Sequence, residues 1–338
     1  MTAALIITAG RTRSKTRFMP LKAIGGITAV QRLILVFRQA GIERIVLVTG
    51  VSAPDGGMEE AIPEDGVLSE SVKVEKLVST LNVVCLRNEG AGAEMLDSVK
   101  IGLSYLTGKC VRAMVTHVDV PFLTVRDVEL LLAANCIRTG PEEKREGIPA
   151  EAVPSEVAAL SYKGRAGHPL LISAKLFPRV LDYTGEGGLA GALKSFGIGC
   201  RYIEAEDEGP VTDIQRAEDY AGLLVRCAPC GLHPEIDVYL AKEKRFFGPG
   251  EYFLLSLIAE TESVRLACRQ MGISYSKAWR TLEAIQGELG GAIVEKRRGG
   301  VSKGGTKLTE QGARLVSWYG EYTGLCRGQA KSAFDMLS

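Results

Sequence analysis

The sequence predicts an α/β protein with a mostly parallel sheet covered on both faces, followed by a second, small and mainly helical domain. Three observations lead there. Through about the first 225 residues, short β-branched runs that are apolar on both faces alternate with stretches of helical periodicity. After Gly250 the pattern turns helical, then closes on a glycine-rich hairpin and a final helix. And 338 residues exceed what one ordinary core covers, so two domains are expected.

The strands come first. "ALIITAG", "RIVLVTG", "NVVCLRN" and "AMVTHVDV" are the β-branched runs, and the segments around 28–40, 92–106 and 124–137 between them read as helices. In the first helix Val30, Leu33, Ile34 and Phe37 follow an i, i+3, i+4, i+7 stripe. Such alternation gives a Rossmann-like sheet with ligands at the carboxyl ends of its strands. The charged, proline-interrupted stretch 140–155 reads as a surface insertion. Residues 1–226 are expected to form the first domain, 227–250 a linker in which "EIDVYL" could be a docking strand, and 251–338 the second domain.

Composition narrows the class. Hydrophobic residues at 46% and charged residues at 24% describe a globular chain, and a net charge of +1 means that any nucleic-acid affinity must arise from local clustering. The apolar run Ala3–Ile7 is too short for a signal peptide and no run reaches membrane-spanning length, so a cytoplasmic protein without a membrane partner is expected. The eight cysteines read as reduced core residues. Cys227, Cys230 and His233 have C-x2-C-x2-H spacing but lack a second knuckle, so they are not expected to hold a metal.

Chemistry-bearing residues concentrate at two places in the first domain. "ITAGRTRSK" ends a strand on Gly10 and continues into a basic, hydroxyl-rich loop; its amides, with Arg11, Arg13, Lys15 and Arg17, suit phosphate oxygens. "MVTHVDVPF" delivers Asp119 to the carboxyl end of an apolar strand, where a bound Mg2+ would neutralise it. Asp213 in "GPVTDIQRAEDY" reads either as a helix N-cap or as a second ligand to the same ion.

The second domain reads as a winged helix-turn-helix. "EYFLLSLIA" begins it. Ser263 caps a helix with Val264, Ala267, Cys268 and Met271 inward, Gly272 breaks the chain, and Ser274 caps a longer helix that buries Ala278, Trp279, Leu282, Ile285 and Leu289. Ser276, Lys277, Arg280 and Thr281 occupy its other face, as DNA reading requires. "AIVEKRRGGVSKGGTKLTEQG" then reads as strand, basic turn, strand and a Thr309-capped helix, a wing on which Arg297, Arg298, Lys303 and Lys307 would grip phosphate.

The ordered set "TAG"-basic loop, "QAGIERIVLVTG", "NEGAGAEMLDSVKIGL", "VDVPFLT", "GHPLLIS", "TGEGGLAGAL" and "TDIQRAEDY" resembles the MobA-like nucleotidyltransferases, over about residues 3–225. That family includes molybdenum cofactor cytidylyltransferases and guanylyltransferases. The resemblance implies an NTP, CTP or GTP, cradled by Ala9, Gly10, Arg11, Thr12, Arg13 and Lys15, and Mg2+ held by Asp119 and Asp213. It implies Asn88, Met95 and Ser98 near base and ribose, and a molybdopterin-type acceptor near His168, Gly187 and Gly188. The chain departs from the usual A-G-x-S-x-R-M-G-x-x-K loop: Thr12 stands for the serine, and the phosphate-neutralising lysine is matched by Lys15, Arg17 or Lys22.

Residues 250–330 resemble the DNA-binding domain of the molybdate regulator ModE and LysR-like relatives, through "LLSLIAETES", "MGISYSKAW", "GGVSKGG" and "LTEQG". That resemblance implies double-stranded DNA as partner and a homodimer, with "YGEYTGLCRGQAKSAFDML" as a pairing helix. The combined expectation is a nucleotidyltransferase joined to a DNA-binding regulator. The alternatives are a transcription factor whose first domain only senses a nucleotide or pterin, and a sugar- or alditol-phosphate nucleotidyltransferase.

Overall fold

The computed structural model describes residues 1–8, 20–24, 27–50, 70–79, 81–90, 94–134, 156–214, 236–296 and 305–337. The chain divides into two units: Met1–Val74 with Leu86–Gly231, and Glu75–Cys85 with Leu232–Ser338.

The strands and helices as far as β9 run β1 (Thr2–Ile7), β2 (Ala23–Ile24), β3 (Ile27–Thr28), α1 (Ala29–Gln39), β4 (Arg44–Gly50), α2 (Glu70–Val78), β5 (Val84–Asn88), α3 (Met95–Leu106), β6 (Arg112–His117), α4 (Val125–Ala134), β7 (Val157–Tyr162), β8 (Arg165–Ser173), α5 (Phe177–Asp182), α6 (Gly188–Ser195) and β9 (Arg201–Glu204). Seven strands form one sheet in the order β5-β4-β1-β6-β8-β7-β9. β1 runs parallel to both β4 and β6, and β7 parallel to β9; β8 runs against β6 and β7. The expected mostly parallel α/β sheet is present.

Local chemistry explains the pattern. Ala3–Ile7 of β1 are at most 1% exposed, so this strand is covered on both faces. Thr28 and Gln31 close a capping box that starts α1, and the stripe Val30, Leu33, Ile34 and Phe37 is fully buried. Lys163 and Gly164, both at positive φ, turn β7 back into β8, which sets the "GHPLLIS" strand antiparallel beside β6. Of the five described cysteines only Cys268 is buried; the other four are half-buried, so the core reading holds for one.

Gly102 of α3 lies on the Leu5 side chain of β1, where a Cβ would overlap Leu5 Cδ1. Gly102→Ala is therefore expected to destabilise the first unit by about 1–3 kcal/mol, seen as a lower denaturant midpoint at unchanged slope.

The remaining elements are β10 (Leu240–Ala241), β11 (Arg245–Phe247), α7 (Pro249–Thr261), α8 (Val264–Met271), α9 (Tyr275–Leu289), β12 (Val294–Lys296), β13 (Thr306–Leu308) and α10 (Glu310–Leu337). The stretch 227–250, expected to be a linker, carries the β10–β11 hairpin, with Phe247 buried, and the first residues of α7. Proline at N1 explains the early start of that helix. Ser263 and Ser274 cap α8 and α9 by accepting from Leu266 N–H at 3.2 Å and Lys277 N–H at 3.3 Å, and Thr309 accepts from Gly312 N–H at 3.2 Å. α9 buries Ala278, Leu282 and Ile285. Trp279 and Leu289, expected inside, are only half-buried. Trp279 instead meets the Tyr275 ring edge-on at 6.1 Å and the Lys296 ammonium at 5.8 Å.

Candidate active site and nucleic-acid interface

β1 and β6 end side by side. Ile7 pairs with His117, and Val118 N–H donates to the Ile7 carbonyl at 3.0 Å. The chain thus leaves β1 toward the glycine loop directly beside the segment carrying Asp119. The loop itself, with Ala9, Gly10, Arg11, Thr12, Arg13, Lys15 and Arg17, lies outside the described residues, as do the 140–155 insertion and the Cys227–His233 cluster. Lys22 is described, at the head of the β2–β3 hairpin, where its carbonyl accepts from Ala29 N–H at 2.9 Å.

Asp119 is held from several sides. Its Oδ2 lies 3.0 Å from His117 Nδ1, which donates to the carboxylate when it carries the proton and otherwise accepts the Asp119 N–H at 3.3 Å; the two side chains are only 14% and 13% exposed. The buried Arg32 of α1 donates from Nε to the Pro121 carbonyl at 2.8 Å, tying the segment to its covering helix. Ile214 N–H donates to the Asp119 carbonyl at 2.8 Å, which brings the backbone of Asp213 alongside Asp119. Gly209 makes this approach close, since a Cβ there would run into the Phe122 carbonyl.

His168 lies in β8, and a cis peptide joins it to Pro169. Its Nδ1, His117 Nε2 and Thr116 Oγ1 are buried without hydrogen-bond partners among the described residues. Burial and the neighbouring His117 push the His168 imidazole down to about 4, against a hydrogen bond with the Val115 backbone that favours the charged form. His168 is therefore neutral near pH 7. An unfolded chain protonates this ring near pH 6.5, the folded one only near 4. Between those values the unfolded state binds more protons, so stability falls as pH drops from 6.5 to 4, by up to about 3 kcal/mol. His168→Gln is expected to flatten this part of the stability–pH curve, which thermal melts across the range would read.

Asn88, at the end of β5, donates from Nδ2 to Ser98 Oγ at 3.0 Å and accepts Gly90 N–H at 3.1 Å. Asn88 and Ser98 thus meet, and Met95 opens the same helix α3. Gly187 and Gly188, both at positive φ, begin α6. Sequence reasoning missed His117 and Arg32. The first was visible as a histidine two positions before Asp119; the second reads as an ordinary polar residue on a helix.

The donor set bears on a metal. Asp119 and Asp213 carry hard carboxylate oxygens, and among the described residues no three His, Cys, Asp or Glu side chains gather into a metal-holding group. A hard divalent cation takes oxygen ligands such as one or two carboxylates together with substrate phosphates and waters.

In the second unit α9 presents Ser276, Lys277 and Arg280 exposed and Thr281 half-buried. Lys307, expected to grip phosphate, lies 3.1 Å from Glu295 across the β12–β13 ladder. This pair is about half exposed, where water screening leaves it weak. Arg297, Arg298 and Lys303 lie outside the described residues. Among the described residues no helix is long and apolar enough to cross a membrane.

Known proteins resemble both parts. Toward its C-terminal region the chain is 34% identical over 83 residues to the molybdenum-pterin-binding protein MopB of Rhodobacter capsulatus, covering 25% of this chain and 31% of that one. It is 33% identical over 97 residues to the DNA-binding transcriptional dual regulator ModE of Escherichia coli K12, 29% of this chain and 36% of that one. The chain spans about a third of the length of the curated relatives it matches. Among solved structures, a nucleotidyl transferase from Methanothermobacter thermautotroptrophicus superposes with TM-score 0.48 at 16% identity, over 67% of this chain and 97% of that one. A Mycobacterium sp. strain JC1 homologue of a Mycobacterium tuberculosis protein gives 0.44 at 19%, over 67% and 96%. The family profile described as the MobA-like NTP transferase domain matches residues 4–202, more than half of the sequence, and the chain belongs to that family.

Proposed function

We propose that the first unit transfers CMP or GMP from CTP or GTP to a molybdopterin-type acceptor, and that the second unit is a winged helix-turn-helix that binds double-stranded DNA as a homodimeric regulator. The observation that carries the enzymatic half is the hydrogen bond from Ile214 N–H to the Asp119 carbonyl, 2.8 Å, which joins the segments of Asp119 and Asp213, distant in sequence, at the carboxyl end of β6.

In this reading an acceptor phosphate oxygen bonds to the α-phosphorus as the bond to the bridging oxygen breaks, and pyrophosphate leaves. Such a reaction rests on positioning and charge neutralisation more than on a base. Asp119 and Asp213 would hold Mg2+, which would neutralise phosphate charge. The amides of residues 9–15 and a cation, Arg17 or Lys22, cradle the triphosphate. Asn88, Ser98 and Met95 border the base and ribose. Neutral His168, with Gly187 and Gly188, lines the acceptor side without adding charge. His117 orients the Asp119 carboxylate from 3.0 Å.

Gly167 gives a sharp test of this geometry. A Cβ there would sit 2.6 Å from the Pro210 carbonyl oxygen, on the turn that leads to Asp213. Gly167→Ala is expected to cut turnover by about tenfold or more, because small displacements of catalytic groups are costly, and to lower the melting temperature as well, because the clash is with backbone that cannot rotate away.

The altered first loop favours a second reading, in which the domain binds nucleotide without turning it over. Pyrophosphate release from CTP or GTP with Mg2+, measured with and without molybdopterin, separates the two: acceptor-dependent release supports the transferase, and nucleotide binding without release supports the sensor. For the other half, the α10 stripe Trp318, Tyr322 and Leu325, 50%, 44% and 67% exposed, supports a pairing helix.

A further inference from the structure

We infer that the β10–β11 hairpin is a second nucleic-acid-contacting element, gripping the DNA phosphate backbone on the flank of α9 opposite the β12–β13 wing. The inference rests on the DNA-binding reading of the second unit and adds a contact surface to it.

The case begins with how α9 divides its circumference. At 3.6 residues per turn, Ala278, Leu282 and Ile285 form the stripe turned to the core. Tyr275 and Trp279 lie on one flank, where Lys296 of β12 reaches the Trp279 ring. Lys277, Thr281 and Ala284 lie on the opposite flank, and they line a groove of about 540 Å³ together with Tyr239, Arg245 and Phe246. Ser276, Arg280 and Glu283 stand exposed between the two flanks. The helix therefore runs between two hairpins, and the flank bearing Lys277 is not open surface but one wall of a cleft.

The hairpin is anchored at its root and open at its tip. Phe247 is buried and meets Tyr319 edge-on at 5.0 Å, Tyr319 Oη donates to the Val238 carbonyl at 2.6 Å, and Lys242 Nζ donates to the Glu288 carbonyl of α9. Lys242, Glu243, Lys244 and Arg245 at the turn are all exposed. The Arg245 guanidinium is poised over the Tyr239 ring at 4.6 Å. The side chains of Lys244, Lys277 and Arg280 make no hydrogen bond or ion pair with the described residues. Glu251 is the one carboxylate in the lining, set against Arg245, Lys277 and Arg280. Lys244 and Arg245 on the hairpin and Lys277 and Arg280 on the helix put four cations around one cleft against the single carboxylate in its lining, Glu251, an arrangement that matches a polyanion, and in a chain of net charge +1 such a local cluster is not part of a general basic field.

The arrangement suits duplex DNA. A major groove about 12 Å wide admits one α-helix and is bounded by a phosphate backbone on each side. An element on each flank of that helix would meet one backbone each. The wing serves one side, and the β10–β11 turn serves the other.

The test uses the full-length protein and a fluorescein-labelled duplex of mixed sequence, about 30 base pairs long, followed by anisotropy between about 50 and 200 mM KCl. Lys244→Ala combined with Arg245→Ala is expected to weaken binding roughly tenfold or more and to make the log–log salt slope shallower by about 2, near 0.9 per lost phosphate contact. Glu243→Lys, which removes an exposed like-signed charge from no packing contact, should steepen the slope by about 1. Wild-type slope and affinity in both variants, while Arg280→Ala still weakens binding, would overturn the hairpin contact and leave the DNA reading standing. A wild-type protein that binds no duplex would sink the DNA reading and this inference with it.

Discussion

Asp119→Ala is expected to lower pyrophosphate release by roughly 10²–10³-fold, the size of effect seen when one charge-stabilising group is removed from a reacting centre. The fold should survive the change. The carboxylate is partly exposed and its neighbour His117 keeps a second partner, the residue-119 N–H at 3.3 Å, which alanine retains. The segment is also fixed by backbone bonds that do not involve the side chain, from Arg32 to Pro121 and from Ile214 to residue 119. A melting temperature close to wild type with release near background is the expected pair of readings. Wild-type release by Asp119→Ala would remove the enzymatic reading of the first unit.

Tyr319→Ala should be the most destabilising single change in the second unit. The ring is 2% exposed and packs against Phe247 at 5.0 Å and Tyr252 at 5.1 Å, while its hydroxyl donates to the Val238 carbonyl. Burial drives its acidity down, to a pKa of about 12, so it remains a donor at any ordinary pH. Truncating a large buried aromatic costs about 3–5 kcal/mol, and the orphaned carbonyl adds to that. DNA binding is expected to fail at physiological temperature while nucleotide chemistry continues, because the core strands of the first unit do not use this residue. Circular dichroism melts should then resolve an early transition absent from the wild type.

Much of the fold was readable because burial imposes period and composition together. The apolar runs of β1, β4 and β6 have both faces covered, so they appear as unbroken hydrophobic stretches, and α1 shows its stripe because only one side meets the sheet. The capping serines at 263 and 274 were legible because a helix start has one cheap local solution. What escaped the sequence depends on partners distant in the chain. β8 is antiparallel because of a two-residue turn, Lys163-Gly164, that composition does not mark strongly. Trp279 was placed in the core by periodicity, yet the wing strand offers its ring a cation and a half-open seat. In the candidate site, Asp119 was visible as a carboxylate at a strand end. His117 and Arg32 were not, since their roles arise only when β6, α1 and the segment before Ile214 pack together.

The Arg32–Pro121 tie carries a consequence for how this protein tolerates change. A guanidinium sealed beneath the sheet's covering layer sets the height of the loop above it, so a conservative-looking swap to lysine or leucine on that helix would tilt the acidic ledge without touching any reactant. Sequence variation at position 32 should therefore track with the chemistry performed at the Asp119 segment it braces.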